Sequence, residues 1–297
     1  MTKNLFPTCL KIHNYHSHNG QRLHAVISLS VAISMSSSLP VLAHGDTHER
    51  IESLTEQLNQ EPSNAQLYLE RGVLYREHRN WRAALEDFER AEQLEPERAD
   101  IELSRGVTLL EAGKPELAKE ALDNFLVSNP DHPEALMARA RTQARLGNHV
   151  AAAADYTRVI ALRPTPDAYL ERARALVAAG DDHLDEALQS LDEGVSVLGS
   201  VVTLDQFAID LELKRSRYDG ALARLDRLAA AADRPEAWLT QRGEILEKAG
   251  MIDEARQAFS QALAALENLP PYRRNNRATS ALEARARSGL ERLHSAG

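Results

Sequence analysis

Large and small apolar residues recur along most of this chain with a helical rhythm, and a longer period is laid over it. YLERGVLYREHRNWRAALEDFERAEQLEP at 68–96 has a near copy, ELSRGVTLLEAGKPELAKEALDNFLVSNP, at 102–130. LMARARTQARLGNHVAAAADYTRVIALRP follows at 136–164 with the same offset of 34 residues, and LTQRGEILEKAGMIDEARQAFSQAL at 239–263 is a later member. A period of that length marks stacked supersecondary units, each burying its apolar face against the next. Within each copy the apolar spacing of three and four predicts a pair of amphipathic helices. Small residues among them let helix backbones approach, and large ones fill the space between. Pro96, Pro130 and Pro164 end second helices, because proline has no N–H and clashes with the preceding turn. Gly113, Gly147, Gly180 and Gly250 stand between paired helices, where a left-handed cap is often needed.

The pattern resembles the tetratricopeptide repeat family. The first copy carries Tyr68, Gly72, Tyr75, Ala84, Phe88, Ala91 and Pro96 at that family's repeat positions 4, 8, 11, 20, 24, 27 and 32. The second has Gly106, Leu109, Ala118, Leu122 and Pro130, with Phe125 where a small residue is expected. The third has Leu136, Ala140, Ala152, Tyr156 and Pro164, and the sixth has Leu239, Gly243, Leu246, Ala255, Phe259 and Ala262. Two units are degenerate. Tyr169, Ala173, Gly180, Ala187 and Leu191 fit the fourth only with two residues inserted around Asp181–His183. In the fifth, Ala221 and Leu225 fit, but Ile209 replaces a small residue and Glu212 a large one. The resemblance implies an all-α, right-handed superhelical solenoid of about six helix-turn-helix units, at 65–98, 99–132, 133–165, 166–201, 202–235 and 236–269.

Both ends of the array read as caps, which solenoids need because terminal units otherwise expose a core face. Residues 44–64 are a linker and capping helix, in which His48–Gln60 mimics a lone second helix. Residues 270–297 form the other cap, where Arg277–Leu293 is amphipathic with Leu282, Leu290 and Leu293 along one side. Residues 1–43 are outside the solenoid pattern. A basic flank leads into the apolar run AVISLSVAISM at 25–35, then serines, Pro40 and Val41-Leu42-Ala43. That order is the layout of a secretory signal, with cleavage expected after Ala43. Its flank is long and holds His13, His16, His18 and His24, and an uncleaved anchor is the alternative. The reading places the chain in the periplasm or among secreted proteins.

Composition changes the picture in two ways. Ala, Leu, Glu and Arg dominate and aromatics are 5% of residues, which suits long helices packed through small side chains. The first 43 residues hold Lys3, Lys11 and Arg22 and no acid, so the remainder has 32 basic and 44 acidic residues, a formal net charge of −12. Such a body is repelled by phosphate backbones and by anionic bilayers, which argues against nucleic acid as the main partner. Stable membrane insertion after leader cleavage is not expected either. The only cysteine, Cys9, lies in the leader, so the expected mature chain has no thiol chemistry.

In the family, positions 2, 5, 9 and 12 of each first helix commonly line a concave surface. The resemblance therefore implies a partner-binding surface from Leu69, Val73, Leu103, Val107 and Leu110, with Gln66, Arg76 and Asp100 beside them. It continues through Met137, Arg141, Leu170 and Arg174, with Arg145 close by. Gln206, Asp210, Thr240 and Glu244 then make the lining polar and acidic. This apolar-to-basic gradient suits a protein or peptide partner with a hydrophobic anchor and a carboxylate. The family's carboxylate-clamp class needs Lys and Asn at positions where this chain has Leu69 and Val73, so it does not resemble that class. A second arginine series, Arg71, Arg105, Arg139, Arg172 and Arg242 at position 7, reads as structural, paired within each repeat to acids such as Asp87 and Asp155.

No enzyme signature competes with this reading. GxGxxG, GxxxxGK[ST] and HExxH are all absent. Paired acids are too common here to mark a site, and His78, His132, His149 and His183 fall near inter-helix turns without metal-like spacing. No cofactor is expected. Cleavage after Ala43 would make His44 the amino terminus, whose amine and imidazole could bind copper or zinc, with Asp46 or His48. The leading expectation is a non-enzymatic adaptor or scaffold of the cell envelope. The alternatives are a structural accessory subunit of an envelope complex and metal binding at His44.

Overall fold

The computed structural model describes residues 39–230, 232 and 234–295, with side chains described from Thr47 onward. The chain divides into two units, Met1–Gly45 and Asp46–Gly297, and the second carries the repeats. The expected leader lies outside the described residues up to residue 38. Helix α1 spans Leu39–Gln60 and so runs through the expected cleavage point.

Six antiparallel helix pairs follow among the described residues: α2 (Ala65–Glu77) with α3 (Trp81–Leu94), α4 (Ala99–Glu111) with α5 (Pro115–Ser128), and α6 (Pro133–Arg145) with α7 (His149–Leu162). Then come α8 (Pro166–Ala179) with α9 (Leu184–Leu198), α10 (Val202–Lys214) with α11 (Tyr218–Ala230), and α12 (Glu236–Lys248) with α13 (Ile252–Glu267). A short α14 (Pro271–Arg274) and a long α15 (Arg277–Ser295) complete the chain. No strand occurs among the described residues.

The small-against-large rule sets how each pair closes. A Cβ at Gly72 would lie 2.6 Å from the Phe88 ring, one at Gly106 2.7 Å from Leu122, and one at Gly243 2.6 Å from Phe259. Glycine at these points brings the first helix directly onto the large residue of the second. In the third and fourth pairs alanine suffices: Ala140 and Ala173 are fully buried, as are Tyr156 and Leu191. The irregular units repack locally. The inserted residues of the fourth form a 3₁₀ turn, Asp181–His183. Phe125 is buried, with its ring edge-on to His132 at 5.1 Å. Glu212 is buried at its large-residue position and faces Arg224 at 3.6 Å, while Gly220 leaves room for its carboxylate.

The turn between paired helices needs a left-handed residue at position 15. Gly113, Gly147 and Gly250 have φ of +75°, +79° and +76°, and Arg79 and Ser216 take the same position with φ of 56° and 57°. A side chain there costs about 1–2 kcal/mol, partly offset by glycine's larger unfolded-state entropy. Arg79→Gly and Ser216→Gly are each expected to stabilise by about 0.5–1 kcal/mol. A denaturant titration checks this, and a loss of stability would contradict it.

The position-7 arginines tie successive units together. Arg71 forks onto Asp87 at 2.9 and 2.7 Å and donates to the Thr55 hydroxyl of α1 at 3.0 Å. Arg139 forks onto Asp155 at 2.7 Å on both arms and reaches back to Asp123 at 2.9 Å. Arg172 meets Ser190 and Glu193 within its own unit. The expectation of pairing within each repeat fails for Arg242, which pairs with Asp226 of the preceding second helix. It holds only in part for Arg105, which pairs with Glu102 of its own helix and with Glu92 of the preceding one. Their own second helices carry Ala121 and Ala258 where Asp87 and Asp155 stand in the others. Burial pushes the Asp87 carboxyl upward, while its hydrogen bond raises Arg71 above the ordinary guanidinium range.

The caps differ in kind. On α1, Ile51, Leu54 and Leu58 are buried against Leu67 and Leu74, and Glu49, Arg50, Glu52, Glu56 and Gln60 face water. On α15 the buried stripe is Thr279, Ala286, Gly289 and Leu293, so of the expected Leu282, Leu290 and Leu293 only Leu293 lies in it. The reason is Phe259, whose ring would stand 2.5 Å from a Cβ at Gly289. Only small residues fit over it, so Leu282 and Leu290 are left half-buried at the margin.

Candidate partner-binding cleft

The first helices of successive units share one face, and a cleft of about 600 Å³ opens on it. Val107 and Leu110 of α4 and Met137, Arg141 and Arg145 of α6 line this cleft, so five of the ten residues expected at a partner site meet there. Leu110 forms part of its floor and is only 5% exposed. The carbonyl of Leu110 accepts a hydrogen bond from Arg145, which fixes the position of that side chain across two units.

The other five expected residues are elsewhere. Leu69 belongs to the core with Ala65, Ala84, Phe88, Ala91 and Ile101, and Val73 packs against that cluster. Leu69 therefore serves packing rather than a ligand surface. Leu103 and Leu170 are half-buried against the central core. Arg174 is exposed, pairs with Glu171 at 2.6 Å and lies over the Phe207 ring at 5.9 Å. The acidic end of the expected gradient is also taken up. Thr240 is buried and donates to the Glu236 carbonyl, while Glu244 is held by Arg285 of α15 at 2.9 and 2.7 Å.

The structure adds Glu111, Glu134, Arg163, Thr165 and Asp167 to the cleft, and brings Arg76 into it. Glu134 and Asp167 are position-2 residues, so the inward-facing positions of the first helices could have found them. Arg163 and Thr165 come from the loop before α8, which helical periodicity does not cover.

Charges divide the cleft into satisfied and unsatisfied parts. Arg163 pairs with Glu134 at 2.8 Å and Arg76 with Glu111 at 3.5 Å. The backbone N–H at its own helix start holds the Glu134 carboxyl below its usual range, and Arg163 and His132 add to this. Arg141 and Arg145, one helical turn apart, make no ion pair with a carboxylate among the described residues. Arg141 lies beside Tyr156. Burial pushes that phenol up to about 12, with Arg141 acting in the opposite sense, so it stays neutral at physiological pH. A second hollow of about 540 Å³ adjoins the cleft, sharing Arg76, Glu111 and Arg145 and adding Glu77, Arg79 and Trp81.

The sequence profile of the tetratricopeptide repeat family matches residues 69–118, 103–167 and 208–270, more than half of the chain. The chain belongs to the tetratricopeptide repeat family. Among solved structures, a tetratricopeptide repeat protein from Parabacteroides merdae aligns at a TM-score of 0.53 and 21% identity, over 84% of this chain and 96% of its own. YrrB, a tetratricopeptide repeat protein described as having an unusual peptide-binding site, aligns at 0.47 and 20% identity, over 56% of this chain and 84% of its own. The human FK506-binding protein-like protein is 35% identical over 85 residues, 29% of this chain. That match spans 24% of the human protein's length. At 21% identity the Parabacteroides merdae structure supports the solenoid fold alone and says nothing of the ligand.

Proposed function

We propose that this tetratricopeptide repeat chain is a non-enzymatic scaffold that holds a protein partner in the cleft between its second, third and fourth repeats. The observation that carries this reading is the pair Arg141 and Arg145, two cations without a carboxylate partner among the described residues, beside the apolar Val107, Leu110 and Met137. In a body with a large acidic excess, two unneutralised guanidiniums on one helix face favour a partner segment that brings its own carboxylate. An apolar side chain of that segment would then sit on Val107 and Met137. The basic and then apolar order of residues 1–43 supports a workplace outside the cytoplasm, where the partner would be met.

The test begins with crosslinking and affinity capture of the chain from its native cells, followed by identification of the retained protein. Arg141→Glu combined with Arg145→Glu is then expected to weaken that partner about tenfold or more, since each charge-assisted contact contributes roughly 1.5–3 kcal/mol. Unchanged affinity, with helicity intact by circular dichroism, would remove the cleft from the function.

A further inference from the structure

His48 and His78 are thirty residues apart in sequence and meet in space. His48 lies on the capping helix α1, and His78 caps the C-terminus of α2, the first helix of the first repeat. Their ring centres are 4.9 Å apart, with the planes inclined by 43°. Parallel stacking would bring the planes close to 0°, and an edge-on contact would bring them near 90°. The observed arrangement is neither.

We infer that His48 and His78 form a two-imidazole site for a divalent transition-metal ion, which would clamp the amino-terminal cap to the first repeat. Metal–nitrogen bonds to imidazole are about 2.0–2.1 Å, so two rings sharing one ion at adjacent positions have centres roughly 4.5–5 Å apart. The observed separation already falls in that range. Imidazole suits copper(II), zinc(II) and nickel(II), with copper(II) bound most tightly in the usual order. Among the described residues no cluster of three or more His, Cys, Asp or Glu side chains surrounds the pair. With two imidazole ligands among the described residues, the site is an open one of modest affinity rather than a closed structural cage. Each imidazole binds the ion through a ring nitrogen that carries no proton.

This site is distinct from one built on a new amino terminus at His44, because it needs no cleavage and draws one ligand from the first repeat. It also stands apart from the cleft, so its failure would leave the partner reading untouched.

The experiment uses the full chain with copper(II) alone as the probe. Equilibrium dialysis compares the native chain with His48→Ala, His78→Ala and His44→Ala, all of which retain the histidines of residues 1–38. Expected is a copper equivalent whose affinity drops about tenfold or more in His48→Ala and in His78→Ala but persists in His44→Ala. Its electron paramagnetic resonance spectrum should show two imidazole nitrogens on the copper. Copper should also raise the melting temperature of the native chain and not that of either single variant, because the ion joins α1 to α2 only in the folded state. Either of two results overturns the assignment: copper binding equal in all four chains, or binding lost only in His44→Ala.

Discussion

Replacing Phe259 with alanine is expected to destabilise the carboxyl-terminal end of the solenoid by about 3–5 kcal/mol. The ring is fully buried between two glycines, Gly243 of α12 and Gly289 of α15, where a Cβ would lie 2.6 and 2.5 Å away. Neither glycine has a side chain that can swing into the space, so the cavity left by the ring cannot collapse easily, and the cost should fall in the upper part of that range. Helix α15 depends on this contact more than on its ion pairs. Arg285 with Glu244 and Arg292 with Glu247 are half-exposed pairs, each contributing no more than about 1 kcal/mol. Because repeat arrays are held by nearest-neighbour contacts, the damage should stay local. Hydrogen exchange by mass spectrometry should show α15 and α13 losing protection while α2 to α7 keep theirs. Uniform loss of protection along the chain, or none in α15, would refute the docking role of Phe259.

Arg139→Ala is the second large effect, expected at about 3–5 kcal/mol because it strands a buried carboxylate. The Asp155 side chain is only 6% exposed, and Arg139 covers both of its oxygens. Gln143 at 2.7 Å remains as a donor, which limits the loss without supplying a charge. Arg242 sits at the same repeat position, but its partner Asp226 is 58% exposed, so water replaces the lost contact. Arg242→Ala is therefore expected to cost under about 1 kcal/mol. Urea titrations of the two variants compare the same residue type at the same position with a buried and an exposed partner. Equal losses would mean that burial does not set the cost.

How much of this was readable beforehand can be judged from particular residues. Tyr68, Gly72 and Phe88, repeated in kind through Gly243 and Phe259, were enough to predict paired helices and their closest points, because backbone approach is a local consequence of side-chain size. The left-handed turns at Gly113, Gly147 and Gly250 were equally legible, whereas Gly180 has a φ of +135° and does not form that cap. Arg79 and Ser216 were not legible, since only the folded backbone shows that they take glycine's conformation. The inward positions placed Val107, Leu110, Met137 and Arg141 at the cleft, yet also named Leu69, which the first repeat buries. A position rule gives direction from the helix axis and says nothing of what the neighbouring helix covers.

By itself the sequence determined the family, the all-α repeat plan, the places where helices touch and the acidic excess. Each of these depends on residue type at a fixed spacing within one or two helices. The tertiary structure alone decided which arginines are neutralised and which stand open. It placed His48 against His78, turned Arg105 and Arg242 toward the preceding unit, and chose small residues as the buried stripe of α15. Those outcomes depend on distances between side chains from different helices, and spacing along the chain does not contain them.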